Sequence, residues 1–206
     1  VNLLYILFNK PYRVLSQFTP VEGKKTLADF HFPKHIYSVG RLDYESEGLL
    51  LLTNDNAVKY RLEHPQFFHP RTYLVQTEHI PNEYALNILR NGISIRTNNS
   101  RQQYFTTLPA EVELLKSEPP LFPRSVPIRL RKTIPTSWLQ IILREGKNHQ
   151  IRKMTAAIGC PTLRLVRIAI DILSIEHLLP GEWKFVSSNQ IQRLKQSLET
   201  SRNARK

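Results

Sequence analysis

Gly40-Arg41-Leu42-Asp43-Tyr44-Glu45-Ser46-Glu47-Gly48 is a charged segment with a glycine at each end, and it runs directly into Leu49-Leu50-Leu51-Leu52-Thr53-Asn54-Asp55. Apolar runs of strand length, Ile36 to Val39 and Leu49 to Thr53, stand on either side of it. A polar loop held between two buried strands is rigid, which is where functional groups tend to sit. Asp43 in such a loop can act as a nucleophile or a general base. The competing reading is an aspartate that merely caps a turn. Beyond the second run, Asp55 is placed to cap a short helix that continues to about His64, where Pro65 stops it.

Outward from this centre the chain mixes strands and helices without regular alternation. Leu3 to Phe8 is a six-residue apolar run ended by Asn9-Lys10-Pro11 and reads as a strand buried on both faces. Thr72 to Thr77 and the alternating Leu139, Ile141 and Leu143 are further strands. Pro81 opens a helix carrying Tyr84, Ala85, Ile88 and Leu89 on one side, closed by Gly92. A last helix begins near Ser187, with Gln190 completing a capping box, and buries Ile191, Leu194 and Leu198. This order predicts an α+β fold with a mixed, largely antiparallel sheet flanked by helices. Between 119 and 136 lie five prolines among Arg124, Arg129, Arg131 and Lys132. That stretch is stiff, basic and extended, either a linker or edge crossover, or a basic arm against phosphates.

The 206 residues carry 29 Lys+Arg against 17 Asp+Glu, a net charge of +12, and are 41% hydrophobic. Enough apolar side chain is present for a core, which excludes wholesale disorder. The charge calls for a polyanionic partner, nucleic acid or an anionic membrane surface. One cysteine, Cys160, excludes an internal disulfide framework and any multi-thiolate metal centre. His31 and His35 have helical spacing but Pro33 lies between them, and His64 and His69 each precede a proline, so no metal site is expected. No apolar run approaches the roughly 20 residues of a membrane span, and a reduced, cytoplasmic protein is the economical reading.

A second basic segment, Arg144-Glu145-Gly146-Lys147-Asn148-His149-Gln150-Ile151-Arg152-Lys153-Met154, follows the strand at 139–143. Asn148 is placed to cap a helix that buries Ile151, Met154 and Ile158, leaving His149, Arg152 and Lys153 on its remaining surface. A helix N-terminus beside cations can seat a phosphate; a solvated basic face is the alternative. Tyr73, in Arg71-Thr72-Tyr73, opens a strand and by spacing alone is ordinary sheet packing.

Taken in order, 40–55, 71–73 and 145–154 resemble the signature of the pseudouridine synthases, in the branch typified by the ribosomal small-subunit synthase A. The similarity extends from about Leu4 to Trp183. Asn9-Lys10-Pro11-Tyr12, the 131–138 segment and Pro161-Thr162-Leu163-Arg164-Leu165 are most similar to members acting on large-subunit rRNA. One departure is Asp171 after Arg167-Ile168-Ala169-Ile170, where the branch usually has glycine. Another is the first strand starting at residue 3, which leads to the expectation that no S4-type RNA-binding domain precedes it.

The resemblance implies the pseudouridine synthase fold, two subdomains around a central cleft, and isomerisation of a uridine in rRNA without metal or other cofactor. It implies Asp43 as the essential carboxylate, paired with Arg152, and Tyr73 packed against the uracil as a further catalytic group. Arg41 would fill the space left by the extruded base, and Leu165 or Leu163 would wall the pocket. Lys147, His149, Gln150 and Lys153 would hold the substrate. The expected division is a catalytic domain over 1–186, a helix over 187–199 and a frayed basic tail over 200–206. Ribosomal RNA, most of all that of the large subunit, is the expected partner of a monomeric enzyme with no membrane partner. A ribosome-assembly module that keeps the fold but not the reaction is the alternative.

Overall fold

Strands and helices follow one another along the described residues, 2–96, 103–129, 131 and 133–203 of a computed structural model, as β1 (Tyr5–Lys10), β2 (Val14–Leu15), β3 (Lys25–Thr26), β4 (Tyr37–Ser38) and β5 (Glu47–Thr53). Next come α1 (Asn56–Glu63), β6 (Arg71–Glu78), α2 (Glu83–Asn91), β7 (Ser94–Arg96), β8 (Tyr104–Thr106), β9 (Glu111–Leu114) and β10 (Thr136–Leu143). The chain closes with α3 (Gln150–Ala157), β11 (Thr162–Ile170), β12 (Leu173–Ser174), β13 (Trp183–Phe185) and α4 (Ser188–Asn203). One large sheet has the order β13-β1-β5-β11-β6-β10-β9, with β4 beside β5 and β12 beside β11. Its pairings are antiparallel except β5 with β11.

Alternation of side chains across a strand explains why β1 and β5 are apolar on both faces. Tyr5, Leu7, Leu49 and Leu51 meet Val58 and Leu62 of α1 and Leu194 and Leu198 of α4. The opposite residues, Ile6, Phe8, Leu50 and Leu52, meet Leu27 and Ile36, with Phe30 and Phe32 packed alongside. A separate core lies under the other half of the sheet, where Val75, Leu139 and Ile141 meet Leu86 and Leu89 of α2 and Ile151 and Met154 of α3. The two halves join through a short parallel ladder, Val166 with Glu47 and Arg167 with Gly48. The molecule is thus α+β, with two subdomains sharing one sheet and a cleft opening at their seam.

Local signals place most elements. Asp55 caps α1 by accepting from Ala57 and Val58, and Ser187 and Gln190 exchange the hydrogen bonds of a capping box ahead of α4. Three details differ from the sequence reading. In α2 the cap is Asn82, and Leu86 and Leu89 face the core while Tyr84 is 76% exposed; the next sheet layer covers only one narrow stripe. In α3 the cap position belongs to His149 rather than Asn148, because the turn before it is set by Gln150 and Glu145. α4 continues through Asn203, past the expected end at 199; positions 204–206, like Lys132, lie outside the described residues.

The unusual Asp171 stands at φ 52°, a left-handed conformation that favours glycine. Its carboxylate offsets that cost by accepting from the Ile172 amide at 2.8 Å and the Ser197 hydroxyl at 2.7 Å, and it meets His69 Nδ1 at 2.7 Å. The same carboxylate ties α4 to this turn through Ser197.

Candidate active site

One transverse row of the sheet organises the cleft. Lys10 on β1 is paired with Gly48 on β5, Gly48 with Arg167 on β11, Arg167 with Tyr73 on β6, and Tyr73 with Ile141 on β10. Gly48 is required here, since its φ is +104° and an added Cβ would stand 2.2 Å from the Arg167 carbonyl oxygen. Small backbone at that point lets β5 and β11 approach and carries the loop 40–46 over the row.

The loop itself is held from several directions. Ser16 Oγ donates to the Leu42 carbonyl at 2.8 Å and accepts from the Leu42 amide at 3.1 Å. The Gly40 amide donates to Glu63 at 2.6 Å, the Arg13 amide to the Tyr44 carbonyl at 2.8 Å, and Ser46 N to the Asp43 carbonyl at 3.0 Å. At its end Glu47 receives a bidentate pair from Arg164, at 2.9 and 3.0 Å, with both side chains buried. Such a planar two-bond contact fixes orientation as well as charge. Asp43 is thereby presented half-buried at the rim of a cleft of about 650 Å³, large enough for a nucleoside.

Tyr73, Arg167, Leu165 and Asp43 all line this cleft, together with Arg41, Lys147, His149 and Gln150. Arg41 is exposed at its mouth. His149, at φ 53°, brings Nδ1 to 3.8 Å from Asp43 Oδ2. Gln150 is buried and does structural work as well: it donates to Glu145 at 2.7 Å and accepts from the Lys147 amide at 2.9 Å, fixing the turn that carries Lys147. Lys147 sits over the Phe105 ring, 4.7 Å from its centroid.

Three expected residues lie elsewhere. Arg152 does not meet Asp43; its guanidinium donates to the Glu45 carbonyl at 3.0 Å and is absent from the cleft lining. From the first turn of α3 it reaches the back of the loop rather than its tip. Lys153 is likewise outside the lining, as is Leu163, which falls at a β-bulge between the paired positions 162 and 164. The bulge breaks the alternation that would otherwise align it with Leu165.

Sequence reasoning missed the cation that does lie beside the row's tyrosine. Arg167 is buried, donates from Nε to the Leu49 carbonyl at 2.8 Å, and leaves Nη2 without a partner among the described residues. Burial pulls its pKa down, opposed by the neighbouring Tyr73 and by Asp43. Lys10 was also missed. It is fully buried, and its amine donates to the Pro11 and Val14 carbonyls at 2.9 and 2.8 Å. Desolvation lowers its pKa to about 7 against the opposing pull of Glu47 and Asp43. A signal for both existed in principle, as a lysine ending the apolar run of β1 and an arginine within the largely apolar β11, since such charges are rarely buried without a partner.

The cleft therefore offers a half-buried carboxylate, a phenol, a buried guanidinium and an apolar wall. These can hold a flat base, stabilise negative charge and accept or deliver a proton. Residues 4–157 match the family model described as RNA pseudouridylate synthase. A ribosomal large subunit pseudouridine synthase E of Vibrio vulnificus is 49% identical over 182 residues, covering 88% of this chain and 74% of that protein. The protein of the same name from Xanthomonas campestris is 45% identical over 183 residues, 88% and 94% of the two chains. A ribosomal large subunit pseudouridine synthase B of Bacillus subtilis is 32% identical over 203 residues, 98% and 75% of the two. The crystal structure of a pseudouridylate synthase superposes with a TM-score of 0.74 at 26% identity, covering 94% of this chain and 74% of that one. A match over most of the sequence, on a sheet whose central row gathers the groups just described, makes this chain a member of the RNA pseudouridylate synthase family.

Proposed function

We propose that the protein isomerises a specific uridine to pseudouridine in large-subunit rRNA. The observation that carries this reading is Asp43, held by the anchored loop at the rim of a nucleoside-sized cleft with Tyr73, Leu165 and Arg167 along its wall. Support for the substrate comes from relatives 49% and 45% identical whose names specify the ribosomal large subunit.

The reaction breaks the N1–C1′ bond, turns the uracil within the cleft and joins C5 to C1′; C5 loses a proton and N1 gains one, so the product is an isomer. The target base must first leave its stack, at a cost of a few kcal/mol that is least in loops and single strands. In this reading Arg41, exposed and lining the cleft, occupies the space the base leaves. Asp43 is the essential carboxylate, either as a nucleophile or as a base for a ribose proton. Tyr73 stacks on the uracil and takes the C5 proton. Arg167 stabilises negative charge on Asp43 and Tyr73 from behind, a role for a fixed, buried donor. Lys147 and His149 hold phosphate at the cleft edge. The reading has the enzyme acting as a monomer in the cytoplasm; among the described residues no helix is long and apolar enough to cross a membrane.

The test is to map pseudouridines in the rRNA of both subunits and in tRNA treated with the wild-type protein or Asp43→Asn. One site made only by the wild type is expected. A site confined to small-subunit RNA or tRNA, or tritium release from C5-labelled uridine RNA by the variant, refutes the assignment.

A further inference from the structure

At the cleft, two aromatic rings near the loop that bears Asp43 carry cations. Two guanidiniums stand over Tyr12, that of Arg124 at 4.1 Å from the ring centroid and that of Arg13 at 5.4 Å. The Lys24 amine stands 5.3 Å from the centroid of Tyr44, which itself lines the cleft. The two units are joined through the backbone, Arg13 N to Tyr44 O at 2.8 Å. Among the described residues no carboxylate lies within ion-pair distance of Arg13, Lys24 or Arg124. Arg124 Nε donates to the Val126 carbonyl at 2.5 Å, which holds its guanidinium in place on the ring. Cations without carboxylate partners on tyrosine rings present flat faces and N–H donors together, the combination that takes an unpaired base and its phosphate.

Arg124 comes from the proline-rich segment, which the sequence left open between linker and arm. That segment is tethered, because Arg164 donates to the Phe122 carbonyl at 2.8 Å while also holding Glu47 at the end of the catalytic loop. One buried arginine thus fixes both the arm and the loop, and so sets the distance between Arg124 and Asp43. Prolines at 119, 120, 123 and 127 stiffen the arm around the tether.

We propose that Tyr12, Arg13, Arg124, Lys24 and Tyr44 form a stacking track for single-stranded RNA next to the target uridine. It selects targets whose neighbouring nucleotide is unpaired. This rests on the reading of the protein as an RNA uridine isomerase and adds a second site to it. A base stacks on the Tyr12–Arg124 unit, and its phosphate lies toward Arg13 and Lys24.

The test compares wild type, Arg124→Gln, Arg13→Gln, Tyr12→Leu and Arg193→Gln on a large-subunit rRNA transcript containing the mapped target. Arg193, exposed on α4, controls for loss of charge alone. Arg124→Gln and Tyr12→Leu are expected to raise KM about tenfold, with kcat changed less than twofold. Arg193→Gln leaves KM as it was. Loss of one phosphate contact reduces the slope of log affinity against log salt by about 0.7, the result expected of Arg13→Gln. On a synthetic RNA with abasic residues flanking the target, the wild type is expected to lose the same factor in KM and no longer to differ from Tyr12→Leu. Equal KM for wild type and Arg124→Gln, with Arg13→Gln unchanged as a second check, overturns the track while leaving the isomerase reading intact. An effect that persists undiminished on the abasic RNA also overturns it. No pseudouridine from the wild type itself overturns both.

Discussion

Nδ1 of His149 stands 3.8 Å from Oδ2 of Asp43, and this contact joins the cap of α3 to the tip of the loop between β4 and β5. The two groups belong to opposite subdomains, so the pair spans the seam of the sheet. Both side chains retain substantial exposure, 48% and 34%, and an exposed pair contributes only about 0.2–1 kcal/mol. His149→Ala should therefore lower kcat/KM by less than about fivefold, whereas Asp43→Asn should lower kcat by about 10³-fold or more while RNA affinity changes little. Single-turnover kinetics and filter binding on one transcript check both; a His149→Ala enzyme as dead as Asp43→Asn would make the histidine part of the chemistry.

Arg167 and Arg152 separate two accounts of the cation that serves the site. Removing the buried Arg167 in Arg167→Met takes a fixed donor from behind Asp43 and Tyr73, and kcat should fall about 100-fold. Arg152→Met frees only the Glu45 carbonyl and should cost clearly less. The comparison needs both variants folded, read by near-ultraviolet circular dichroism. The reverse ranking returns the pairing role to Arg152.

Gly48 predicts a defect that is structural from the start. In Gly48→Ala the new methyl meets Arg167 backbone at 2.2 Å with φ at +104°, and neither strand can move without parting the two subdomains. The expected loss is about 3 kcal/mol or more in urea unfolding. Gly40, whose Cβ would meet nothing within 4 Å, though its φ is +66°, should tolerate alanine at about 1–2 kcal/mol.

Lys10 makes stability depend on alkaline pH. Its pKa is about 7 in the folded protein against 10.5 in the unfolded chain, so between these values the unfolded chain holds a proton that the folded one lacks. The group therefore penalises folding fully below pH 7, and the penalty is lifted as pH rises to about 10.5, at up to about 1.4 kcal/mol per pH unit. The neutral amine still has enough N–H bonds for both carbonyls it serves. Subtracting the unfolding free energies of Lys10→Met from those of the wild type at pH 7 to 10 should give a rising line; a flat difference would mean that Lys10 stays charged throughout.

Asp171 gives the opposite sign. Despite burial, which raises its pKa, bonds from His69 and Ser197 hold it below the usual aspartate value. Its stabilisation is present above the unfolded pKa near 3.8 and is lost as pH falls through the lower folded value. Asp171→Gly removes left-handed strain but leaves His69 buried without its acceptor, and should cost about 1–3 kcal/mol. Thermal unfolding checks this, and a stabilised variant would show that the turn, not the carboxylate, matters there.

Local chemistry was legible because it is written locally. The apolar runs of β1 and β5, the Asp55 cap, the Ser187–Gln190 box and the loop bearing Asp43 each depend on residues within a few positions of one another. The motifs at 40–55, 71–73 and 145–154 likewise announced a family, and with it Asp43 and Tyr73. Which cation stands behind them was not written that way. Lys10, Gly48, Arg167 and Tyr73 lie far apart in the chain and meet only because four strands share one transverse row, a register set by the packing of three separate cores. Arg152 sits within a motif yet points to the loop's back, because one turn of helix and a left-handed His149 decide its direction. Whether the proline-rich segment is a linker or an arm was equally beyond composition. A single buried arginine, Arg164, tethers that segment to the end of the loop bearing Asp43, a contact between residues far apart in the chain.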